Sequence, residues 1–276
     1  MECTCGIAEL FGGPNRDLGQ VLCIITGASR GYGRMLALQV SGLVRPGSAL
    51  LLVARSEEPL QEVQKEIADS GVDMAGLAVC CVRADLSTQE GVDHTVRTAK
   101  EAARSDIDHM LLINNAGSLG DVSRFTQSFT DLLEVDSYLS LNVSSALGLT
   151  ASLLQAFPRR QGLRRTVVNL SSLCAQRALP SWVLYCTGKA ARDMMFRVLA
   201  EEEPDMKVLN YSPGPLDTDM QVQARYWSGD AELRRSLCSM FRRGQLLSCQ
   251  ESGAKLLRLL LDDDFPSGAH VDYYEL

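Results

Sequence analysis

The chain has 276 residues, 46% of them hydrophobic and 22% charged, a composition typical of a globular protein with a sizeable core. Its formal net charge of −7 gives no electrostatic reason to expect a nucleic-acid partner or an anionic membrane surface. No run approaches the roughly 18–20 apolar residues of a membrane helix, and the N-terminus lacks the pattern of a secretory signal.

Cysteine and histidine usage bears on the compartment and on metal binding. The nine cysteines show no repeating spacing, and most lie inside apolar runs, where a free thiol behaves as a small hydrophobic side chain. Cys3-x-Cys5 lacks the spacing of zinc sites, and the three histidines form no cluster. We therefore expect reduced thiols, a cytoplasmic location and no structural metal.

Apolar runs alternate with helical patterns along the chain. A flexible lead-in is expected over residues 1–19. Strands are predicted over 21–25, 49–54, 77–83, 109–113, 166–170, 207–211 and 269–273. Helices are predicted over 34–43, 59–69, 91–105, 132–157 with a break, from about 182 onward, and over 251–261, whereas 220–248 is read as an irregular, polar lid. Residues 20–276 are thus predicted to form one α/β domain, a Rossmann-type doubly wound parallel sheet with helices on both faces.

The first predicted strand runs into a turn, Thr26–Gly33, with glycine at positions 27, 31 and 33. Glycine lets backbone N–H groups approach a pyrophosphate at a helix N-terminus, where the helix dipole favours negative charge. The spacing differs from G-x-G-x-x-G, so the interpretation depends on the strand before the turn and the helix after it. The alternative is a plain strand-to-helix turn.

The second predicted strand ends at Arg55, where a dinucleotide site for NAD would place an acidic residue. Arginine binds a 2′-phosphate bidentately, and Arg30 in the glycine turn supplies a second cation. This pattern favours NADP(H) over NAD(H), although both arginines are also compatible with ordinary surface positions.

Polar residues follow the third and fourth strands, at the edge where open α/β sheets bind ligands. These are Asp85-Leu86 and Asn114–Gly117. Asn115 either contacts a ligand or only braces the neighbouring strands. Asn142 lies within a predicted helix, where asparagine is a poor helix former, so either a break frees a carbonyl to hold a water or a polar residue is merely tolerated.

Tyr185 and Lys189 are spaced i, i+4, which places them on one face of a helix. A nearby ammonium favours the phenolate, so the pair suits acid–base chemistry. Ser172 follows the fifth strand and could hydrogen-bond the oxygen that the tyrosine protonates. The alternative for Tyr-x-x-x-Lys alone is a solvated helix face. Trp182 is most simply a packing residue, and its alternative role is to wall a ring-shaped substrate.

Taken in order, these motifs and Pro213-Gly214 resemble the short-chain dehydrogenase/reductases over about residues 20–275. Longer strings are similar to the pterin-reducing members of that family: LLINNAGSLGDVS (111–123), VVNLSSLCA (167–175), GKAARDM (188–194), SPGPLDTDMQ (212–221) and SGAHVDYY (267–274). The resemblance implies NADPH-dependent reduction of pterin side-chain carbonyls in the last steps of tetrahydrobiopterin synthesis.

The resemblance also implies residue roles. Tyr185 would donate the proton, Lys189 would bind the nicotinamide ribose and lower the tyrosine pKa, Ser172 would hold the substrate carbonyl, and Asn142 would support a proton-relay water. The expected NADP contacts, with Asn115, are Gly27, Ala28, Ser29, Arg30, Gly31, Tyr32, Gly33, Arg55, Ser56, Asp85, Leu86, Lys189, Leu216, Asp217, Thr218, Asp219, Met220 and Gln221.

The expected substrate contacts are Ser172, Leu173, Tyr185, Gly214 and Asp272. A carboxylate at Asp272 would accept two hydrogen bonds from the edge of a 2-amino-4-oxo-pyrimidine ring, and the alternative is a solvated C-terminal aspartate. Segments 176–181 and 222–248 diverge from the family pattern and shape the substrate mouth, which leaves open the reduction of other carbonyls, such as quinones or steroids. The remaining hypothesis is a non-catalytic NADP(H) sensor, although such proteins typically lose Tyr, Lys or Ser and all three are present here. The helices over 132–157 and at Tyr185 resemble a dimer-forming pair, so a homodimer is expected.

Overall fold

In the computed structural model, which describes residues 16–70 and 76–276, seven strands form one parallel sheet. The strands are β1 (Val21–Thr26), β2 (Ala49–Ala54), β3 (Ala78–Arg83), β4 (His109–Asn114), β5 (Arg164–Leu170), β6 (Lys207–Ser212) and β7 (Ala269–Asp272). Their order in the sheet is β3-β2-β1-β4-β5-β6-β7. The winding direction reverses between β1 and β4, so a crevice opens at the carboxyl ends of these two strands.

Helices pack on both faces of the sheet. They are α1 (Gly31–Ser41), α2 (Glu57–Asp69), α3 (Gln89–Ala102), α4 (Leu132–Leu139), α5 (Ser145–Ala156), α6 (Val183–Glu202), α7 (Asp219–Trp227), α8 (Ala231–Arg242) and α9 (Cys249–Asp262). None of the helices in the described ranges is long and apolar enough to cross a membrane.

The alternation of side chains along each strand creates two hydrophobic cores. On β1, Cys23 and Ile25 face the core that holds Leu36 of α1 and Leu256 of α9. Leu22 and Ile24 of the same strand face the other core, which contains residues of α3, α5 and α6. Burial on both faces explains the continuous apolar runs of the strands, and the predicted doubly wound α/β fold is confirmed.

Two helical regions show where the predictions held and where they did not. The break expected in the long helix is present, because the π-turn Ser140–Ser144 separates α4 from α5. The prediction of an irregular 220–248 segment is wrong, since α7 and α8 occupy most of it. Helix α8 buries none of its residues completely, but its apolar residues Leu233, Leu237 and Phe241 recur at helical spacing, a signal that the prediction overlooked among many polar residues. The expected flexibility of the lead-in falls mostly on residues 1–15, which lie outside the described ranges.

Candidate active site

The predicted site residues lie at the carboxyl ends of the strands, which meet at one edge of a parallel sheet. The glycine turn follows β1, Asn115 follows β4, Ser172 follows β5 and Asp272 ends β7. The segment after β6 reaches the glycine turn, where Arg30 Nη1 and Asp219 Oδ2 form an ion pair at 2.9 Å. The edge therefore brings together motifs from the whole length of the chain.

The turn between β1 and α1 has the backbone of an anion site. Gly27 and Gly31 have φ of +66° and +53°, a region that favours glycine. A Cβ on Gly33 would lie 2.3 Å from the carbonyl oxygen of Gly27, so α1 can approach the turn this closely only with glycine there. Helix α1 begins with no side-chain cap and no acidic residue in its first turn. Its N-terminal N–H groups and dipole thus suit a phosphate.

The two arginines predicted to bind a 2′-phosphate have different surroundings. Arg55 follows β2 and is exposed, and its charge helps to hold the pKa of Asp85 below the usual range, after the larger effect of hydrogen bonds from Ser87. Arg30 is exposed but already paired with Asp219, an ion pair that the sequence did not predict. Arg55 is therefore the cation better available to an incoming anion.

Several predicted cofactor contacts also have structural partners. Asn115 Nδ2 donates to the carbonyl oxygens of Thr26 at 2.8 Å and Gly27 at 3.1 Å, which is the bracing role foreseen as an alternative. The Tyr32 hydroxyl accepts a bond from Ser252 Oγ at 3.2 Å inside the core, so only the Tyr32 backbone lies at the turn. Leu86 is also buried in the core.

The segment after β6 is held against the residues that precede α9. Leu216 pairs with Leu247, and the N–H of Asp217 donates to the Leu247 carbonyl at 2.9 Å. Helix α7 then begins after Thr218, and Met220 packs against the apolar cluster around Tyr185. In the described part of the chain, the buried amide nitrogen of Gln221 has no hydrogen-bond partner. This donor lies in the first turn of α7, two residues after Asp219, and it fits the oxygen-rich cofactor that the motifs predict.

The remaining predicted contacts lie in or beside the glycine turn and at the start of α2. Ala28 is buried, Ser29 is partly buried, and Ser56 is the exposed N-cap residue of α2 without a side-chain cap bond. Together with the anion-binding turn and Gln221, these positions fit a dinucleotide cofactor. Its phosphates would face the N-terminus of α1.

Helix α6 places Tyr185 and Lys189 on one face, as predicted. Tyr185 is only 9% exposed, and Lys189 Nζ lies 5.5 Å from the centroid of its ring. Lys189 Nζ also donates to the Leu170 carbonyl at 2.6 Å, which anchors the lysine at the end of β5. Ser172 follows the same strand, and its hydroxyl accepts from the Cys174 N–H at 3.2 Å. These three residues meet at the end of β5.

Burial dominates the titration of the Tyr185–Lys189 pair. It raises the pKa of Tyr185, and Cys174 adds to the effect, whereas the Ser172 hydrogen bond and the Arg192 charge lower the pKa. Burial lowers the pKa of Lys189 to about 7, with Arg192 contributing in the same direction. The lowering influences on Tyr185 in this structure thus come from Ser172 and Arg192, and Tyr185 is a neutral hydroxyl at neutral pH.

Asn142 is buried within the π-turn and bonds to the loop after β4. Its Oδ1 accepts from the Ser118 N–H at 2.7 Å, while its Nδ2 donates to Ser118 Oγ at 3.1 Å and to the Tyr138 carbonyl at 2.9 Å. The helix break and the loop are therefore held by one side chain. The water-relay role of Asn142 stays a prediction.

The predicted substrate residues Asp272, Gly214 and Leu173 follow neighbouring strands. Asp272 is partly buried and accepts from Ser212 Oγ at 2.7 Å and from the Tyr274 N–H at 3.0 Å. The carboxylate also accepts the Glu275 N–H in a capping box, so three of its roughly four acceptor positions are occupied by the protein. Gly214 has φ of +75°, and Leu173 is half exposed.

Trp182 is a packing residue at the start of α6. It is buried, its ring packs edge-to-face on Tyr185 with centroids 5.5 Å apart, and its Nε1–H donates to Ser228 Oγ at 3.0 Å. A cavity of about 670 Å³ lies nearby, lined by Phe125, Leu179, Pro180 and others, but it does not include Tyr185, Ser172 or Asp272. The crevice at the sheet edge is thus the better candidate for the reaction.

Sequence reasoning missed two charged residues behind Tyr185 and Lys189. Arg192 and Asp193 are both buried on α6, and Asp193 Oδ2 lies 2.5 Å from His270 Nδ1. The spacing of 185, 189 and 192 was visible in the sequence as one helical face. An arginine on the same helical face as Tyr185 and Lys189 was the signal that could have pointed to a role for this residue.

Comparison with known proteins places this site in a family. A family model described as short chain dehydrogenase matches residues 22–229, more than half of the chain. The chain belongs to the short-chain dehydrogenase family. Its fold is therefore that of a family of oxidoreductases.

Similar proteins within the short-chain dehydrogenase family include curated sepiapterin reductases. The one from Xenopus laevis is 52% identical over 258 residues, which cover 94% of this chain and 97% of that protein. The one from Bos taurus is 50% identical over 259 residues, with coverages of 94% and 96%. Among solved structures, the KRED1-Pglu enzyme matches with a TM-score of 0.78 at 26% identity, over 91% of this chain and all of that one.

Proposed function

We propose that this oxidoreductase reduces the side-chain carbonyls of pterins, such as sepiapterin and 6-pyruvoyl-tetrahydropterin, with NADPH in the last steps of tetrahydrobiopterin synthesis. The observation that carries the proposal is the meeting of Ser172, Tyr185 and Lys189 at the sheet edge that also holds Asp272. Curated sepiapterin reductases about half identical to the chain over nearly its full length support the substrate class.

The chain's residues divide the work of the reaction. Bound NADPH would supply the hydride for the carbonyl carbon. Tyr185 donates its hydroxyl proton to the carbonyl oxygen, and Ser172 hydrogen-bonds the same oxygen, so negative charge that develops there is stabilised before the proton arrives. Lys189 and Asn142 support this step, the lysine beside the tyrosine ring and the asparagine through the π-turn. Neutral Tyr185 is the form that such a donor needs.

Cofactor binding is assigned to the glycine turn, with Arg55 selecting NADP(H) over NAD(H). The N-terminus of α1 would hold the phosphates, and Gln221 would offer its unpartnered amide to the cofactor. Arg55 gives a 2′-phosphate an exposed guanidinium at the end of β2, where an acidic residue would repel it. Arg30 would bind the same 2′-phosphate beside Arg55 once it gives up or shares its ion pair with Asp219.

Asp272 is assigned to the pterin ring. Its carboxylate would accept from the 2-amino group and the adjacent ring N–H by exchanging a bond from the C-terminal turn, while Ser212 fixes the carboxylate. Helices α7 and α8 form the substrate-side lid, since Met220 and Leu237 pack against the cluster that contains Tyr185. Divergent lid residues would then set selectivity among pterins.

A cytoplasmic homodimer completes the proposal. Helices α4, α5 and α6 carry exposed apolar side chains, namely Leu132, Leu133, Leu147, Met194 and Val198. The first two are 75% and 79% exposed, an unusual surface unless a second subunit covers it. The same helices resemble the pair that forms dimers in this family.

The test is NADPH oxidation by purified protein with sepiapterin or with a simple quinone. We expect fast turnover of sepiapterin with NADPH and weak turnover with NADH. Asp272→Asn should raise the KM for sepiapterin by about tenfold or more, since the charged acceptor is lost, and leave quinone kinetics unchanged. Turnover of the quinone alone, or an Asp272→Asn enzyme with wild-type sepiapterin kinetics, would favour the second candidate, a reductase of other carbonyls.

A further inference from the structure

A buried arginine lies on the face of α6 that carries Tyr185 and Lys189. Arg192 is only 2% exposed, and its guanidinium donates in three directions. Nε bonds Asn169 Oδ1 at 2.7 Å, Nη1 bonds the Ala116 carbonyl at 3.0 Å, and Nη2 bonds the Asn114 carbonyl at 2.5 Å. Burying a guanidinium is costly unless it is fully hydrogen-bonded, so these bonds explain how the charge is tolerated.

The acceptors of Arg192 belong to the site itself. Asn114 and Ala116 flank Asn115 at the end of β4, and Asn169 lies on β5, three residues before Ser172. One rigid, planar group therefore joins α6 to two adjacent strand ends. Because Tyr185 and Lys189 lie on the same helix face, the bonds of Arg192 fix their rotation relative to Ser172 and to the loop after β4.

The positive charge of Arg192 also changes the pKa values of Tyr185 and Lys189. It lowers the pKa of Tyr185 and adds to the burial that lowers the pKa of Lys189. Burial lowers the pKa of Arg192 itself to about 10, so it remains a cation at neutral pH. A permanent cation therefore lies behind the tyrosine even when Lys189 has lost its proton.

Other titratable groups also face Tyr185 and Lys189. Asp193 on α6 raises the pKa of Lys189, and its carboxylate is held by Ser171, Asn169 and His270 of β7. The remaining titratable neighbours are a phenol and two thiols. Burial raises the pKa of Tyr138 of α4, and the hydrogen bond between Cys174 and Cys186 raises the pKa of Cys174 and lowers that of Cys186, so Cys186 of α6 is the one of the three that favours its anion. Among the described residues named as acting on Tyr185, Arg192 is the one permanent cation.

We infer that Arg192 is a positioning residue for the carbonyl reduction, which locks the Tyr185–Lys189 face of α6 onto the ends of β4 and β5 and supplies a fixed positive charge behind it. The effect that we expect on the rate of carbonyl reduction rests on the proposed function, whereas the effect that we expect on the pKa of Lys189 does not. Lysine could keep the charge at this position but not the three-directional bonding.

The direct test is a titration of Lys189 by NMR, with the lysine Cε carbons labelled and Lys189→Met used to assign the signal among five lysines. We expect Arg192→Met to raise the pKa of Lys189 by about one unit or more, because a nearby like charge is removed. Arg192→Lys should keep it near the wild-type value. The matched control is Arg165→Met, which removes another buried arginine, 4% exposed, that is paired with Glu203 at the opposite end of β5. It should lower the melting temperature without moving the Lys189 titration.

Steady-state kinetics separate the positioning role of Arg192 from the role of its charge. In Arg192→Lys we expect kcat for sepiapterin to fall about tenfold with KM nearly unchanged, since proximity is lost but binding is not. A folded Arg192→Met protein with an unshifted Lys189 titration would overturn the electrostatic role. If Arg192→Met does not fold, wild-type kcat in Arg192→Lys would overturn the positioning role. Wild-type protein that never reduces sepiapterin would refute the proposed function and leave the titration result intact.

Discussion

Tyr185 combines two properties that a proton donor to a carbonyl needs. It is buried against Trp182 and the apolar cluster, so its pKa is raised and its hydroxyl keeps its proton throughout the neutral range. A hydrogen bond with Ser172 opposes that rise, and in the proposed reaction the same serine would hold the substrate oxygen that receives the proton. A positioned acid of this kind contributes about 10²–10⁴-fold to a rate. The proposed role of Tyr185 as proton donor thus rests on its burial and on Ser172 together.

Cofactor choice should depend on Arg55. In Arg55→Asp we expect the preference for NADPH over NADH to fall by about 10- to 100-fold, because a charge-assisted bond to the 2′-phosphate becomes a repulsion. The measurement is the Kd of each cofactor, followed by fluorescence. Arg97→Ala, an exposed arginine on α3, is the control and should leave the ratio unchanged. An unaltered ratio in Arg55→Asp would remove Arg55 from the cofactor site.

The π-turn between α4 and α5 is joined to the loop after β4 by the side chain of Asn142. Asn142→Ala removes three hydrogen bonds that join this turn to Ser118 and Tyr138. We expect a loss of about 1–3 kcal/mol in the free energy of unfolding and a drop in kcat of about tenfold or more, as the loop after β4 loses its anchor. Denaturant unfolding and steady-state kinetics measure the two effects.

Thr150→Val provides the matched control for the π-turn. Thr150 is buried on α5 and accepts one bond from Asn114 Nδ2 at 3.0 Å, away from the turn itself. Loss of this hydrogen bond should lower the free energy of unfolding by a similar amount but leave kcat close to the wild-type value. Equal kcat losses in both variants would mean that the turn acts only through general stability.

At the scale of elements, the sequence predicted what strong periodicity and composition define. The strands were readable because each is buried on both faces and therefore nearly all apolar, as Ala49–Ala54 illustrates. Helix α8 was missed because it lies on the surface, and only residues such as Leu233 and Leu237 pack against the protein. The break at Asn142 was readable from one poor helix former, but its bonds to Ser118 were not.

For the molecule as a whole, parallel topology made the site predictable in outline. All strands point the same way, so motifs that follow different strands must meet at one edge. The sequence did not reveal which side chains on different elements contact each other, because the parallel topology does not determine these contacts. Arg30 and Asp219 are 189 residues apart, and Arg192 and Ala116 are 76 apart. Whether such side chains touch depends on helix rotation and depth, which packing decides.

The measurement that tests the account most directly is sepiapterin turnover with NADPH by the Tyr185→Phe protein, beside NADPH binding by the same protein. Phenylalanine keeps the buried ring and removes only the hydroxyl. We expect turnover to fall by about 10²-fold or more, the range for loss of a positioned acid, while the Kd for NADPH stays near the wild-type value. Wild-type turnover without the hydroxyl, or a loss explained by weaker NADPH binding, would contradict the assignment of Tyr185 as proton donor.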